Sequence, residues 1–345
     1  GQGHTVTVLE QNEKPGKKLL ATGNGRCNLT NLDQKNKYYR SSRPEKAARI
    51  LEQFPVSSVI SFFTELGIYT KNRDGWIYPN SGQASAVLAV LVMEGQHRKV
   101  KMKTRETVTA ITRETDGSYL VHTRGWKYPA DRVIVTTGSP ASEIAGSSAD
   151  GLQFADELGI RSIPFAPALC PLKCSGAEFQ KWSGVRADGR VTLFLDGVPV
   201  VSESGELQLT SYGISGIPVF QVSRYAVRAL EEGALVEAEL DFFPDMEEDA
   251  FAALLNHRMM SCTYKTQEEL LIGLLPDKLI PLALRNGREL DVIAHAVKHV
   301  RLKVKDSAGF ERAQVSSGGV DLAEVSDQLE SLRYPGLYFA GEVLD

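Results

Sequence analysis

The chain has 345 residues, about two domains' worth at ~150 residues each, and its 42% hydrophobic and 24% charged content with only 15 prolines describes an ordered chain that buries a sizeable core. With 39 Lys+Arg against 43 Asp+Glu the formal charge is -4, which gives no global positive field, so no nucleic-acid partner is expected. Four scattered cysteines (Cys27, Cys170, Cys174, Cys262) make no disulfide framework, and no apolar run nears the ~20 residues of a membrane helix, so no membrane association and a reducing, cytoplasmic location are expected.

In chain order, Gly3 to Glu10 reads as a buried parallel strand ending in an acid. In doubly wound nucleotide-binding folds an acid so placed hydrogen-bonds a ribose, about 20 residues after a G-x-G-x-x-G turn. That turn is missing here, because too few residues precede Glu10 to hold it. Lys14-Pro15-Gly16 breaks the structure, and Lys17 to Asn31 is a loop rich in glycine, asparagine and cations. It is no P-loop, since position 11 is Gln and Lys18 stands where the hydroxyl belongs. Gly23 and Gly25 let backbone approach a ligand, Arg26 offers a planar fork of donors, and Asn24 and Asn28 offer amides; a plain polar surface loop is the alternative.

Pro44 to Leu66 has helical periodicity in two pieces broken at Pro55. A turn at Asn72 to Gly75, a strand at Trp76 to Tyr78, and a helix capped by Ser81 or Ser85 and running through Met93 follow. The basic stretch His97 to Arg105 reads as the solvated face of a strand. Strands are expected at Val108 to Glu114, Tyr119 to Thr123 and Arg132 to Thr137, the last buried and ending in Gly138, as a chain turns under a dinucleotide. Gly151 to Gly159 reads as a short helix, and Pro164, Pro167 and Pro171 punctuate a domain boundary.

From Cys170 to about Leu240 short strands (191–195, 198–202, 206–209, 235–240) and one helix after Ser215-Gly216-Ile217-Pro218 suggest a barrel-like insert. Cys170 and Cys174 are spaced CxxxC with no second pair nearby, which favours buried thiols over a metal site. Gly213-Ile214-Ser215-Gly216 runs on into Ile217 where a nucleophile elbow needs glycine. Pro244 to His299 is helical, with a start near Asp245 or Glu247 and later divisions at Pro276 and Pro281. His295 and His299 share a helix face, but Ala296 stands where a zinc protease has Glu and no third ligand is evident, so no metal is expected. The chain closes with strands at 302–305 and 313–315, a turn at Ser317 to Val320, and a buried strand ending in Gly341-Glu342.

Together these segments resemble the bacterial BaiN-like (YhiN-like) NAD(P)/FAD-dependent oxidoreductases. The resemblance spans nearly the whole chain and is most specific in GKKLLATGNGRCNLTN at Gly16 to Asn31. It is supported by Gly75 to Pro79, Pro167 to Leu172, Gly205-Glu206-Leu207 through Ser215-Gly216, Ser317 to Val320 and Gly341 to Asp345. It implies an α/β fold: a doubly wound FAD-binding domain (1–165 and 307–345) with an inserted β-rich, barrel-like domain (166–242) and a helical subdomain (243–306).

By the same resemblance Glu10 holds the adenosine ribose, Lys18 and Gly23, Asn24, Gly25, Arg26, Cys27 and Asn28 line the flavin, and Thr136, Thr137 and Gly138 approach the dinucleotide. Glu342 and Asp345 approach the ribityl and ring end, and Gln11, Val108 and Gly341 complete the expected cofactor-lining set. FAD is the implied cofactor, NAD(P)H or oxygen the implied electron partner, and a small organic molecule the substrate; no general acid or base is assigned. Cys27 is expected to be a small lining residue, not a redox partner. Three departures are visible: the family's glycine loop and its flavin-contacting C-terminal helix are not in this sequence, and Ser139 replaces a second glycine. Weak or no FAD binding by this chain is therefore expected. A flavin-binding or interaction protein without turnover is the alternative.

Overall fold

The computed structural model describes residues 3–142, 144, 146–176 and 179–345. The chain divides into two compact units, Gly1–Phe165 with Gly318–Asp345, and Ala166–Ser317.

In the first unit, Thr7–Glu10 pairs in parallel with Lys101–Thr104, and Val133–Val135 pairs in parallel with Leu337–Phe339. A parallel strand was expected at Gly3 to Glu10 and buried strands at all three of Gly3 to Glu10, Arg132 to Thr137 and the segment before Gly341; the burial differs. Val8 is 39% and Ile134 64% exposed, because each pair is a two-stranded ribbon among the described residues, with outer faces that no further element covers. Lys101–Thr104 is exposed along its whole length, as its alternating cations implied. An antiparallel meander follows, built of Val108–Arg113, Tyr119–Thr123 and Lys127–Ala130. Its third strand was not foreseen, since Lys127-Tyr128-Pro129-Ala130 carries a proline and no apolar alternation.

The two helices broken at Pro55 are Pro44–Glu52 and Val56–Glu65. The hairpin Thr70–Arg73 and Trp76–Pro79 turns through Asp74 and Gly75, both at positive φ. The following helix is Ala84–His97, and neither Ser81 nor Ser85 caps it; Gln83 occupies the cap position with no side-chain bond. A core of Ile111, Tyr119, Val121, Val135, Phe154, Leu337, Phe339 and Val343 joins the meander to the parallel pair, with the Tyr119 hydroxyl donating to the Pro335 carbonyl at 2.8 Å. The segment expected to turn at Ser317 to Val320 is instead the end of a strand, Val315–Val320. Gly319 serves close backbone approach: at φ 138°, a Cβ on it would overlap the Leu344–Asp345 backbone.

The second unit is a closed antiparallel barrel. Its strands run in the order Leu172–Cys174, Gly213–Ser215, Val198–Thr210, Arg186–Leu195, Val236–Asp241, Val300–Ser307. Alternation supplies the interior, with Val191, Leu193, Leu207, Leu209, Val236, Ala238, Leu240, Val300 and Leu302 all buried. Helix Ile217–Glu231, with Pro218 in its first turn, buries Val219, Val222, Ala226 and Val227. Helices Glu248–Ser261, Gln267–Leu271, Ile280–Ala283 and Leu290–Lys298 fill the stretch read as helical. The last barrel strand, Val300–Ser307, straddles the boundary drawn at 306/307, because it pairs with both Leu172–Cys174 and Val236–Asp241. Cys170 is buried, Cys174 is half-buried, and both thiols are free. Burial pushes the Cys170 thiol up and the Cys174 thiol up to about 12.

Candidate functional site

The candidate residues all lie in the first unit. The chain leaves Thr7–Glu10 through a turn in which the Glu10 Oε1 accepts from the Asn12 backbone N–H at 2.7 Å and the Asn12 side-chain amide at 2.9 Å. Gln11 donates to the Gly146 carbonyl at 2.9 Å. The start of the next segment is tied to the same turn, as the Glu106 N–H donates to the Glu10 carbonyl at 3.0 Å. Val108, two residues on, packs against the core.

Gly16 then opens helix Lys17–Ala21, and the 3-10 turn Thr22–Gly25 follows. Gly23, Asn24, Gly25 and Cys27 all take positive φ. Such a run needs glycine or a residue held by its surroundings. Cys27 is held by burial: only 6% exposed, it packs with Ile68, Ala84 and Val87, and its N–H donates to the Thr22 carbonyl at 3.0 Å. The Asn28 carboxamide, oriented by its hydrogen-bond partners, donates to the carbonyls of Ile77 (3.1 Å) and Thr30 (2.9 Å). Cys27 and Asn28 therefore anchor the loop, and Gly23 to Arg26 stand out from it, exposed. Among the described residues the Asn24 amide and the Arg26 guanidinium have no hydrogen-bond or ion-pair partner.

Lys18 gathers the separate segments. Its Nζ donates to the Ala141 carbonyl at 2.8 Å and to the Ser142 hydroxyl at 3.3 Å, and lies 3.8 Å from the Glu342 carboxylate. Thus the loop after Gly16, the turn after Val133–Val135 and the Gly341–Asp345 segment meet at one ammonium. The Asp345 carboxylate accepts from the Ser42 N–H at 2.7 Å and the Ser41 hydroxyl at 3.2 Å. Thr136 and Thr137 are exposed, and Gly138 and Gly341 have left-handed φ with open space where a Cβ would sit. Ser139, at the position where glycine was expected, is buried.

Sequence reasoning missed the supporting residues. Ser41 and Ser42 have no local motif, and Asp345 finds them some 300 positions away. Gly151 lets the start of helix Asp150–Glu157 press against Thr137 and Val343, where a Cβ would collide with both.

The whole chain, residues 1–345, matches the family model described as HI0933-like protein Rossmann domain. The chain belongs to that family. Among its relatives, the 3-dehydro-bile acid delta(4,6)-reductase of Clostridium scindens is 41% identical over 99% of this chain and 86% of its own length. The ribosomal RNA dihydrouridine synthase of Haemophilus influenzae is 27% identical over 99% of this chain and 87% of its own. In the open conformation of a flavocytochrome c3 fumarate reductase, a solved structure, the match covers 99% of this chain and 69% of that one at 13% identity and a TM-score of 0.48. Membership in the HI0933-like family carries the Rossmann-type α/β fold, here with a barrel inserted in the chain, and the reductase among its relatives agrees with the oxidoreductase class read from the motifs. No helix among the described residues is long and apolar enough to cross a membrane.

Proposed function

We propose that this HI0933-like protein uses FAD to reduce a carbon–carbon double bond in a small organic molecule, with NAD(P)H as electron donor. One observation carries the reading. Lys18 ties the segment after Gly16 to Ala141 and Ser142, which follow the Thr136–Gly138 stretch, and to Glu342, while Asn24 and Arg26 further along the same loop have no partner among the described residues. The donor set suits FAD: exposed amide and guanidinium groups, and two glycines with open space on the Cβ side, which give backbone N–H groups access to a ligand. When bound, FAD supplies the two-electron chemistry.

The chain's own residues hold and orient. Glu10 keeps its Oε2 unpaired among the described residues and would accept ribose hydroxyls there. The Arg26 fork would bind planar acceptors, and Thr136 to Gly138 would follow the dinucleotide. Cys27 holds the loop in its left-handed path, a positioning role that matches its burial. Gln11, Val108, Asn28 and Asp345 act through the frame they tie together.

The two named relatives support the reaction type, since a delta-reductase and a dihydrouridine synthase both add hydrogen across a carbon–carbon double bond. The higher identity of the bile-acid reductase favours a small molecule, while the second name keeps uridine in RNA as the second reading. The test is anaerobic reduction of the FAD-loaded, full-length protein by NADPH or NADH, then reoxidation by a 4-ene-3-one steroid or by ribosomal RNA. Reoxidation by the steroid alone supports the first reading, reoxidation by RNA alone the second, and reoxidation by neither removes both.

A further inference from the structure

Away from that site, in the second unit, the two helix histidines acquire a third donor that their own helix does not carry. Helix Leu290–Lys298 presents His295 one turn before His299 at its C-terminal cap, and the rings stack with centroids 4.7 Å apart. Glu248, the first residue of helix Glu248–Ser261, reaches both: Oε1 is 3.3 Å from His295 Nδ1, and Oε2 is 3.0 Å from His299 Nε2. One ligand atom from each of the three side chains lies within 4.8 Å of the others. Ligand atoms ~2.0 Å from a tetrahedral zinc ion sit about 3.3 Å from one another, so both nitrogen–oxygen separations are those of neighbouring ligands.

A second observation concerns the far side of His299. Its Nδ1 is 3.3 Å from the Glu239 carboxylate, on strand Val236–Asp241, and Glu239 in turn accepts from Arg301 Nε at 2.9 Å. A carboxylate on the far nitrogen of an imidazole is the arrangement that orients a metal-ligating histidine, and Glu239 stands in that place while Nε2 faces Glu248. The helix C-terminus at His299 favours positive charge there as well.

We propose that Glu248, His295 and His299 bind a divalent transition-metal ion of the zinc type, with Glu239 as the positioning carboxylate. Three protein donors leave a fourth position for water, on the side where His295 is exposed. Ala296 after His295 supplies no general base, so the ion acts as a clasp that fixes the start of one helix to the end of another beside the barrel strands carrying Glu239 and Arg301.

The test is equilibrium dialysis of the full chain against zinc chloride, with a thermal melt at each zinc concentration, for wild type, His295→Ala, Glu248→Gln and the control His257→Ala. His257 is exposed on helix Glu248–Ser261 and is outside the cluster. His295 is largely exposed, so its variant should melt like wild type without zinc. Cobalt substitution reports ligation directly through visible absorption bands. Expected are one zinc per wild-type or His257→Ala chain with a higher melting temperature, at least tenfold weaker binding in His295→Ala and Glu248→Gln, and loss of the cobalt bands in both. Zinc binding equal in all four proteins would place the metal on the thiols or elsewhere, and no binding by wild type would leave the three side chains as a plain hydrogen-bonded cluster; either result overturns the proposal.

Discussion

Lys18 holds its partners unequally. The 2.8 Å bond to the Ala141 carbonyl is a charge-assisted hydrogen bond, whereas the 3.8 Å approach to Glu342 joins two groups each about a third exposed. Bonds of the first kind contribute about 1.5–3 kcal/mol and pairs of the second about 0–1 kcal/mol. Lys18→Met should therefore lower unfolding free energy in urea by about 1–3 kcal/mol and Glu342→Gln by less than about 1 kcal/mol. A larger loss for Glu342→Gln would make the ion pair the main tie. A second residue-scale prediction concerns Cys174, whose thiol burial raises to about 12 from an ordinary value of 9.0. The folded state then keeps a proton that the unfolded chain releases, so the contribution is fully present below pH 9 and is lost as pH rises toward 12. Stability measured across that window should fall less steeply in Cys174→Ala than in wild type. Equal slopes would mean that the thiol is not held off ionisation.

At the scale of elements, the Val315–Val320 strand and the Gly341–Asp345 segment can lie together only because Gly319 has no side chain. Gly319→Ala combines a backbone collision with a φ that L residues avoid, and should cost about 2 kcal/mol or more, read as a lower urea midpoint. A midpoint within error of wild type would show that the backbone yields there. Elements with a regular pattern are legible in the sequence: Val236–Asp241 alternates buried and half-buried residues, and Pro55 divides two helices as its missing N–H requires. Long Val198–Thr210 reads as two strands because Ser202 to Glu206 carries no apolar alternation, being exposed or half-buried throughout. In the candidate site the loop is legible from its glycines and cations, but the ties that hold it are not. The Asn28 amide turns inward to Ile77 and Thr30, and Lys18 finds a carbonyl and a hydroxyl over 120 positions away, which only the fold supplies. Glu248 stays invisible beside His295 for the same reason, being 47 residues distant.

For the whole molecule, the HI0933-like Rossmann fold and the oxidoreductase class follow from a match over the entire chain. Asn24 and Arg26, exposed and without partners among the described residues, are where the proposed reading puts cofactor contacts. Arg26→Ala removes a side chain with no partner among the described residues, so it should leave the melting temperature of the FAD-free protein within about 1 °C while lowering FAD retention at least tenfold. Unchanged retention would move the cofactor away from this loop. The most direct measurement is the visible spectrum of the full-length protein, incubated with FAD and desalted, before and after anaerobic NADPH. A retained flavin band that bleaches on reduction and returns with a 4-ene-3-one steroid is the expected result. A protein that retains no flavin would contradict the cofactor reading, and with it the role given to Lys18, Asn24 and Arg26.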